Sequence, residues 1–279
     1  MSKEMEQGTR ITDDIRAKEE RLRADLRAQG RVAVAFSGGV DSTYLLRVAH
    51  AELGTSAVAV TAKAASFNRR DLAEATEFCR KEGIRHIVVE VDELGIPGFA
   101  ENPPDRCYVC KKEIFRRLME AAAAAGFPVM AEGSNMSDLG DYRPGLRAIE
   151  ELGVRSPLRE AGLYKPEIRA LSAALGLPTW NQPSSACLAS RFAYGEPITR
   201  EKLRMVERAE NALADMGFRQ LRVRMHGDAL ARIEVEEAQL PVLLAQREAV
   251  TAALREIGFT YVTMDLRGYR VGSMNEVLG

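Results

Sequence analysis

Val32-Ala33-Val34-Ala35-Phe36 runs into Ser37-Gly38-Gly39-Val40-Asp41-Ser42 and then, without a break, into Thr43-Tyr44-Leu45-Leu46. The first five residues are apolar without alternation, the pattern of a strand covered on both faces. The run from Ser42 onward has helical character, so the residues between form a strand-to-helix loop. Adjacent glycines let backbone N–H groups turn toward a bound anion, and the helix N-terminus adds its partial positive charge. The hydroxyls of Ser37 and Ser42 can donate to phosphate oxygens. Asp41 would repel a phosphate, so its presence there calls for a Mg²⁺ ion between the two. The loop lacks the lysine of the G-x-x-x-x-G-K-S/T phosphate loop and does not match the dinucleotide pattern G-x-G-x-x-G.

The same alternation continues outward. Strands are expected at 31–36, 57–61, 86–91 and 129–133, and helices at 42–53, 69–82, 111–126, 145–152 and 166–175, after an amphipathic N-terminal helix over 12–29. Alternating strands and helices predict an α/β fold, a doubly wound parallel sheet with ligands at the carboxyl ends of its strands. Near residue 194 the pattern changes. A helix at 199–216, strands at 220–225 and 231–235, a helix at 241–257 and a strand at 260–266 read as a smaller α/β domain. The expected division is therefore 1–193 and 194–279, and 279 residues with 46% hydrophobic content suffice for both cores.

Lysine and arginine total 39 against 40 aspartates and glutamates, so the basic excess of an obligate nucleic-acid binder is missing. No apolar run is long enough to span a membrane, and the charged N-terminus carries no signal-peptide pattern. A cytoplasmic protein, with no nucleic acid and no membrane among its partners, is the expectation.

A second loop, Glu132-Gly133-Ser134-Asn135-Met136-Ser137-Asp138, follows the fourth expected strand at the same edge of the sheet. Gly133 permits close backbone approach, and Asn135 and Asp138 can hold a nucleotide or metal. A Gly-Ser-Asn turn entering a capped helix needs no ligand by itself; its pairing with the first loop favours one.

Of four cysteines, Cys79 sits beside Phe78 on an amphipathic helix and reads as core. Cys107-Tyr108-Val109-Cys110 is a C-x-x-C placed before a helix, able to ligate one metal or two irons. No second C-x-x-C and no nearby Cys-His pair completes a zinc site. Cys187 lies in Pro183-Ser184-Ser185-Ala186-Cys187-Leu188-Ala189-Ser190-Arg191, a small-residue loop in which Arg191 would favour the thiolate. Three cysteines without a fourth ligand suit a [4Fe-4S] cluster with one iron open.

Ser-Gly-Gly-x-Asp-Ser resembles the signature of the PP-loop ATP pyrophosphatases, which split ATP between its α and β phosphates and leave AMP on the substrate. The wider pattern resembles the LarE family, PP-loop sulfur transferases that build the nickel-pincer cofactor of lactate racemase. It spans nearly the whole chain: SGGVDSTYLL from Ser37, ENPPDRCYVCKKEIF from Glu101, EGSNMSDLGDYRPGLRA from Glu132, KPEIRALSAALGLPTWNQPSSACLASR from Lys165 and VTMDLRGYRVGSMNE from Val262. In the second domain Arg222-Val223-Arg224-Met225-His226-Gly227 and Ala231-Arg232-Ile233-Glu234 resemble the family's RVRxHG and ARIE segments.

The resemblance implies an ATP-dependent sulfur transferase. Its substrate is pyridinium-3,5-biscarboxylic acid mononucleotide, whose carboxylates are adenylylated and converted to thiocarboxylates. Some members hold only the cysteine matching Cys187 and sacrifice its sulfur. With Cys107 and Cys110 also present, this chain resembles the subgroup whose three cysteines hold a [4Fe-4S] cluster as sulfide carrier. The expected site thus has Ser37, Gly38, Gly39, Asp41, Ser42, Gly133, Asn135 and Arg191 around ATP and Mg²⁺. Cys107, Cys110 and Cys187 take the metal, and Cys187, Asp41, Arg224 and Glu234 take part in the chemistry. Arg222, Arg224 and His226 alternate along one strand and share a face. Two guanidinium groups there suit the phosphate and carboxylates of the substrate, while the bland alternative is a solvated face balanced by Glu234 and Glu236. A sulfide donor and a homo-oligomer complete the expectation. The rival is a PP-loop tRNA thiolase with a three-cysteine cluster.

Overall fold

A computed structural model describes residues 9–139 and 144–278. The first eight residues of the expected charged N-terminus and residues 140–143 of the segment 132–148 lie outside the described residues. The elements run α1 (Asp13–Gln29), β1 (Val32–Ala35), α2 (Val40–Leu53), β2 (Ala57–Lys63), α3 (Arg69–Glu82), β3 (His86–Glu90), α4 (Arg106–Ala124), β4 (Val129–Ala131), α5 (Pro144–Glu151), α6 (Pro157–Glu160) and α7 (Lys165–Ala174). Then follow α8 (Arg200–Asp215), β5 (Leu221–His226), β6 (Leu230–Val235), α9 (Leu240–Ala245), α10 (Arg247–Ile257) and β7 (Tyr261–Met264).

By contact the chain divides into two compact units. The first comprises Met1–Lys63, Arg69–Val91 and Cys107–Gln182; the second comprises Ala64–Asn68, Asp92–Arg106 and Pro183–Gly279. A single boundary at 193/194 does not anticipate the two short segments that leave the ends of β2 and β3 to join the second unit.

In the first unit the strands are all parallel in the order β3-β2-β1-β4, with Val34 opposite both Ala59 and Ala131. Strand order therefore reverses at β1, which opens a crevice at its carboxyl end, where α/β sheets bind their ligands. The pattern of a strand covered on both faces holds: Val32, Ala33 and Val34 are wholly buried. With Val32 and Val34 cluster Leu22 and Leu26 of α1, Tyr44, Leu45 and Leu46 of α2, and Ile168 and Leu171 of α7. Each such side chain removed from water contributes roughly 1.5–3 kcal/mol. α1 begins where the Thr12 hydroxyl accepts from Ile15 N–H, with Asp13 and Asp14 in its first turn favouring the dipole.

In the second unit β5 and β6 are antiparallel and β6 and β7 parallel. α8 lays Leu203, Val206, Ala209 and Leu213, one stripe at helical spacing, into the core. The helix expected over 241–257 is two helices, because Gln246 leaves the helical conformation (φ −92°, ψ 11°) between α9 and α10. α4 begins at Arg106, five residues before the expected start, so Cys107 and Cys110 lie in its first turn and a half and not in a loop before it.

Candidate active site

β1 delivers the phosphate loop. Phe36 N–H still pairs with Val60 O at 2.9 Å, and the chain then leaves the sheet at Ser37. Gly38 has φ 76°, a left-handed conformation, and a Cβ there would stand 3.2 Å from the Ala75 Cβ, so geometry and space both demand glycine. Gly39 is the extended N-cap of α2. The loop closes on its own hydroxyls. Ser42 Oγ donates to Gly39 O at 3.2 Å, Ser37 and Ser42 Oγ are 3.1 Å apart, and Gly39 N–H donates to Ser37 Oγ at 3.4 Å. The two hydroxyls thus meet at the start of α2, where free N–H groups and the helix dipole favour an anion.

Asp41, in the first turn of α2, is ion-paired through Oδ2 with Lys165 Nζ. Its Oδ1 is buried and has no partner among the described residues. Burial raises the pKa of this carboxyl above the usual aspartate value; Lys165 works against that rise, and the charge of Asp138 adds to it. A buried, unpartnered carboxylate oxygen beside an anion loop is the donor that a Mg²⁺ ion needs. Lys165 was not among the expected site residues, although it opens the quoted KPEIR segment. Its position carried a signal: it is the first residue of α7, and a cation at a helix N-terminus opposes the dipole unless an acid faces it.

The second loop stands against the first. A Cβ on Gly133 would approach Ser42 N to 3.1 Å and Asp41 Cβ to 3.2 Å, so glycine there allows the two loops to touch. Glu132 organises the turn by accepting from Ser134 N–H at 3.0 Å, Ser134 Oγ at 2.8 Å and Ser156 Oγ at 2.6 Å. Asn135 is buried and caps the following short helix: its Oδ1 accepts from Ser137 N–H at 2.9 Å while its own N–H donates to Asp138 at 2.9 Å.

None of the four cysteines is in a disulfide. Cys79 packs in the core, where burial pushes its thiol up to about 12. Cys107 (exposed) and Cys110 (buried) are three residues apart on α4, hence neighbours on one helical face at a spacing that suits two thiolates of one cluster. Cys187 belongs to the second unit, half-buried, and caps the short helix Leu188–Arg191. Among the described residues no three His, Cys, Asp or Glu side chains stand together as a ready-made metal site.

The arginines of the second unit are not the solvated face weighed above. Arg224 is buried: Nη2 donates to Glu234 at 2.8 Å and to Ser273 Oγ at 3.1 Å, and Nη1 to Ser190 O at 3.0 Å. Glu234 is completely buried. Arg222 donates to Leu221 O and Ser184 O, both at 2.6 Å, and burial followed by the charge of Arg191 lowers its pKa to about 10. Arg191 holds Glu210 through Nε and Nη2, each at 2.8 Å, and reaches Ala186 O at 3.0 Å and Cys187 O at 3.2 Å. Its guanidinium is thereby committed to shaping the Cys187 loop. Burial opposes the charge of Glu210, but Arg191 and then Arg222 outweigh it and hold that carboxyl below its usual range.

No helix among the described residues is long and apolar enough to cross a membrane. A parallel sheet whose central strand hands Ser-Gly-Gly-Val-Asp-Ser to a helix N-terminus defines a PP-loop enzyme, and residues 19–98 match the asparagine synthase family. The chain is 43% identical to an uncharacterised protein of Synechocystis sp., over 95% of this chain and 99% of that protein. It is 39% identical to the pyridinium-3,5-bisthiocarboxylic acid mononucleotide synthase of Lactiplantibacillus plantarum, over 95% of this chain and 96% of that one. A tRNA-specific 2-thiouridylase of Azorhizobium caulinodans is 31% identical over 62% of this chain and 54% of its own. The chain belongs to the LarE family of PP-loop sulfur transferases.

Proposed function

We propose that this protein is an ATP-dependent sulfur transferase acting on pyridinium-3,5-biscarboxylic acid mononucleotide, in the route to the nickel-pincer cofactor of lactate racemase. The observation that carries the ATP step is Asp41, whose buried Oδ1 lacks a partner among the described residues at the mouth of an anion loop. The similarity to the Lactiplantibacillus plantarum synthase over nearly its full length supports the substrate.

Ser37, Gly38, Gly39 and Ser42 would bind the phosphates, and Asp41 would hold Mg²⁺ against them. Lys165 lies beside that carboxylate and can turn from it to a phosphate oxygen. A substrate carboxylate oxygen attacks the α-phosphorus of ATP, the α–β bridging bond breaks, and pyrophosphate leaves. A sulfur nucleophile then adds to the acyl-adenylate carbon, and AMP departs with the oxygen it had taken. The phosphates develop most of the new charge, so preorganised donors at the helix start lower that barrier. Gly133 and Asn135 would line the nucleotide from the second loop. Arg224 and Glu234 would act with Cys187 on the pyridinium half, and Arg191 would hold the Cys187 loop at its nucleotide-binding edge.

The thiols of Cys107, Cys110 and Cys187 fit a [4Fe-4S] cluster by donor chemistry, with two of them on one helical turn. When bound, such a cluster supplies an open iron that carries sulfide taken from a donor. In this reading the enzyme works in the cytoplasm as a homo-oligomer, without nucleic acid. The relationship to a tRNA thiouridylase keeps tRNA as the second candidate substrate, but 39 basic against 40 acidic residues disfavour it. The test of the sulfur source is the mass of Cys187 after turnover in protein purified without oxygen. An intact thiol together with bound iron is expected; loss of H₂S from Cys187 would mean a sacrificial cysteine instead.

A further inference from the structure

The two short segments that join the second unit from within the first two-thirds of the sequence bond the chain on either side of the short helix Leu188–Arg191, the first at Leu188, next to Cys187, and the second at Ala193 and Gly195. On one side, Glu93 Oε1 accepts from Ser66 N–H at 2.6 Å, and Ser66 O accepts from the N–H of Leu188, the residue after Cys187, at 2.8 Å. On the other, Asn102 Nδ2 donates to Ala193 O at 2.6 Å, Asn102 O accepts from Gly195 N–H at 2.9 Å, and Asn102 Oδ1 is bonded by Arg106.

Glu93 is not where fold stability alone would put it, and Asn102 holds an uncommon backbone conformation. Glu93 is 1% exposed and its Oε2 has no partner among the described residues, nor has the equally buried Ser66 Oγ. A buried carboxylate so incompletely bonded costs stability compared with an apolar residue of the same size. Asn102 is fully buried and holds φ 56°, the one positive value outside glycine among the described residues. Left-handed backbone is uncommon outside glycine, asparagine adopts it more readily than most residues, and such positions gather at functional sites.

We infer that Glu93 and Asn102 are positioning residues for Cys187: they fix the turn that presents its sulfur, Glu93 through Ser66 and Asn102 through the Ala193–Gly195 backbone. Their importance for activity rests on the sulfur-handling role proposed above for Cys187; the brace itself does not. The geometry also separates them from Arg191, which holds the same turn through the carbonyls of Ala186 and Cys187.

The experiment is competitive alkylation of the full-length chain with iodoacetamide, thiols reduced and metal chelated, read cysteine by cysteine in the mass spectrometer. Glu93→Ala should raise the Cys187 rate by about tenfold relative to Cys107, the scale of one lost hydrogen bond to a charged group. Glu93→Gln keeps an acceptor for Ser66 N–H and should restore the native rate. Asn102→Gly tolerates the left-handed backbone but removes the side-chain contacts, and it should loosen Cys187 in the same way. In each variant the buried Cys79 should stay unreactive; if Glu93→Ala exposes it through unfolding, Asn102→Gly decides. Cys187 rates within about twofold of native in Asn102→Gly and in folded Glu93→Ala would overturn the inference. A shifted rate with unchanged thiocarboxylate formation would leave the brace standing and remove Cys187 from the proposed chemistry.

Discussion

Lys165, the first residue of α7, is ion-paired with Asp41 of the phosphate loop across 124 residues of sequence. The pair ties α7, which packs against α2, to the phosphate loop. Lys165 loses dipole energy at its helix terminus and recovers it from Asp41; Asp41 in turn keeps a charge that burial disfavours. In the function proposed above, a Mg²⁺-bound nucleotide would satisfy both at once, Asp41 holding the metal and Lys165 facing the phosphates.

Asp41→Asn is expected to abolish pyrophosphate release while leaving thermal stability at neutral pH undiminished. The sign follows from linkage. The folded pKa of Asp41 lies above its unfolded value, so the native state binds that proton more tightly. Ionisation therefore takes stability away as pH rises from the ordinary aspartate range through the raised value, and the loss is complete at neutral pH. Melting curves from acid to neutral pH should show the wild type losing its advantage over Asp41→Asn across that window. A variant that melts lower at neutral pH would place Asp41 in the fold instead of the site.

Lys165→Met should raise the KM for ATP by about ten- to a hundredfold, the worth of one charge-assisted contact to phosphate. Sensitivity to the pyridinium nucleotide should change little. Initial-rate kinetics with each substrate varied in turn separate the two, and an unchanged KM for ATP would leave Lys165 as a mere tether for Asp41.

Gly133→Ala places a methyl 3.1 Å from Ser42 N and 3.2 Å from Asp41 Cβ. The neighbouring atoms are backbone and the root of a side chain, so the loops must part. ATP binding should weaken while the circular dichroism spectrum stays native. Calorimetric titration with a non-hydrolysable ATP analogue measures it.

Arg224→Ala is expected to destabilise the protein by about 3 kcal/mol, because the fully buried Glu234 loses its closest cation and keeps only Arg232, at 3.3 Å, and the Ser273 hydroxyl. Loss of substrate binding in that single variant would therefore say little about contact with substrate. Arg224→Met combined with Glu234→Leu removes both charges and should recover most of the stability in urea titrations. If the double variant also recovers full activity, neither residue takes part in the chemistry.

The phosphate loop was legible because Gly38 and Gly39 between an apolar run and a helix leave few conformations to choose from, and α3 was legible from its periodicity and charged termini. The start of α4 was not, since Pro103-Pro104 reads as loop and cysteines carry no helix signal of their own. Nor was the break at Gln246, where the apolar pattern runs straight through. Alternating arginines on β5 read as a solvated face or a substrate-facing one; their burial depends on Glu234 of the neighbouring strand and on the carbonyls of Ser184 and Ser190, more than thirty residues away in sequence. Long-range pairing hid Lys165, Glu93 and Asn102 for the same reason.

The measurement closest to the central claim is pyrophosphate release from Mg²⁺-ATP by protein purified without oxygen and supplied with sulfide. It is run with pyridinium-3,5-biscarboxylic acid mononucleotide and separately with tRNA, and the nucleotide products are weighed by mass spectrometry. The account predicts release only with the pyridinium nucleotide, one pyrophosphate for each carboxylate oxygen replaced by sulfur, over repeated turnovers. Release with tRNA alone, or sulfur incorporation without pyrophosphate, would contradict it.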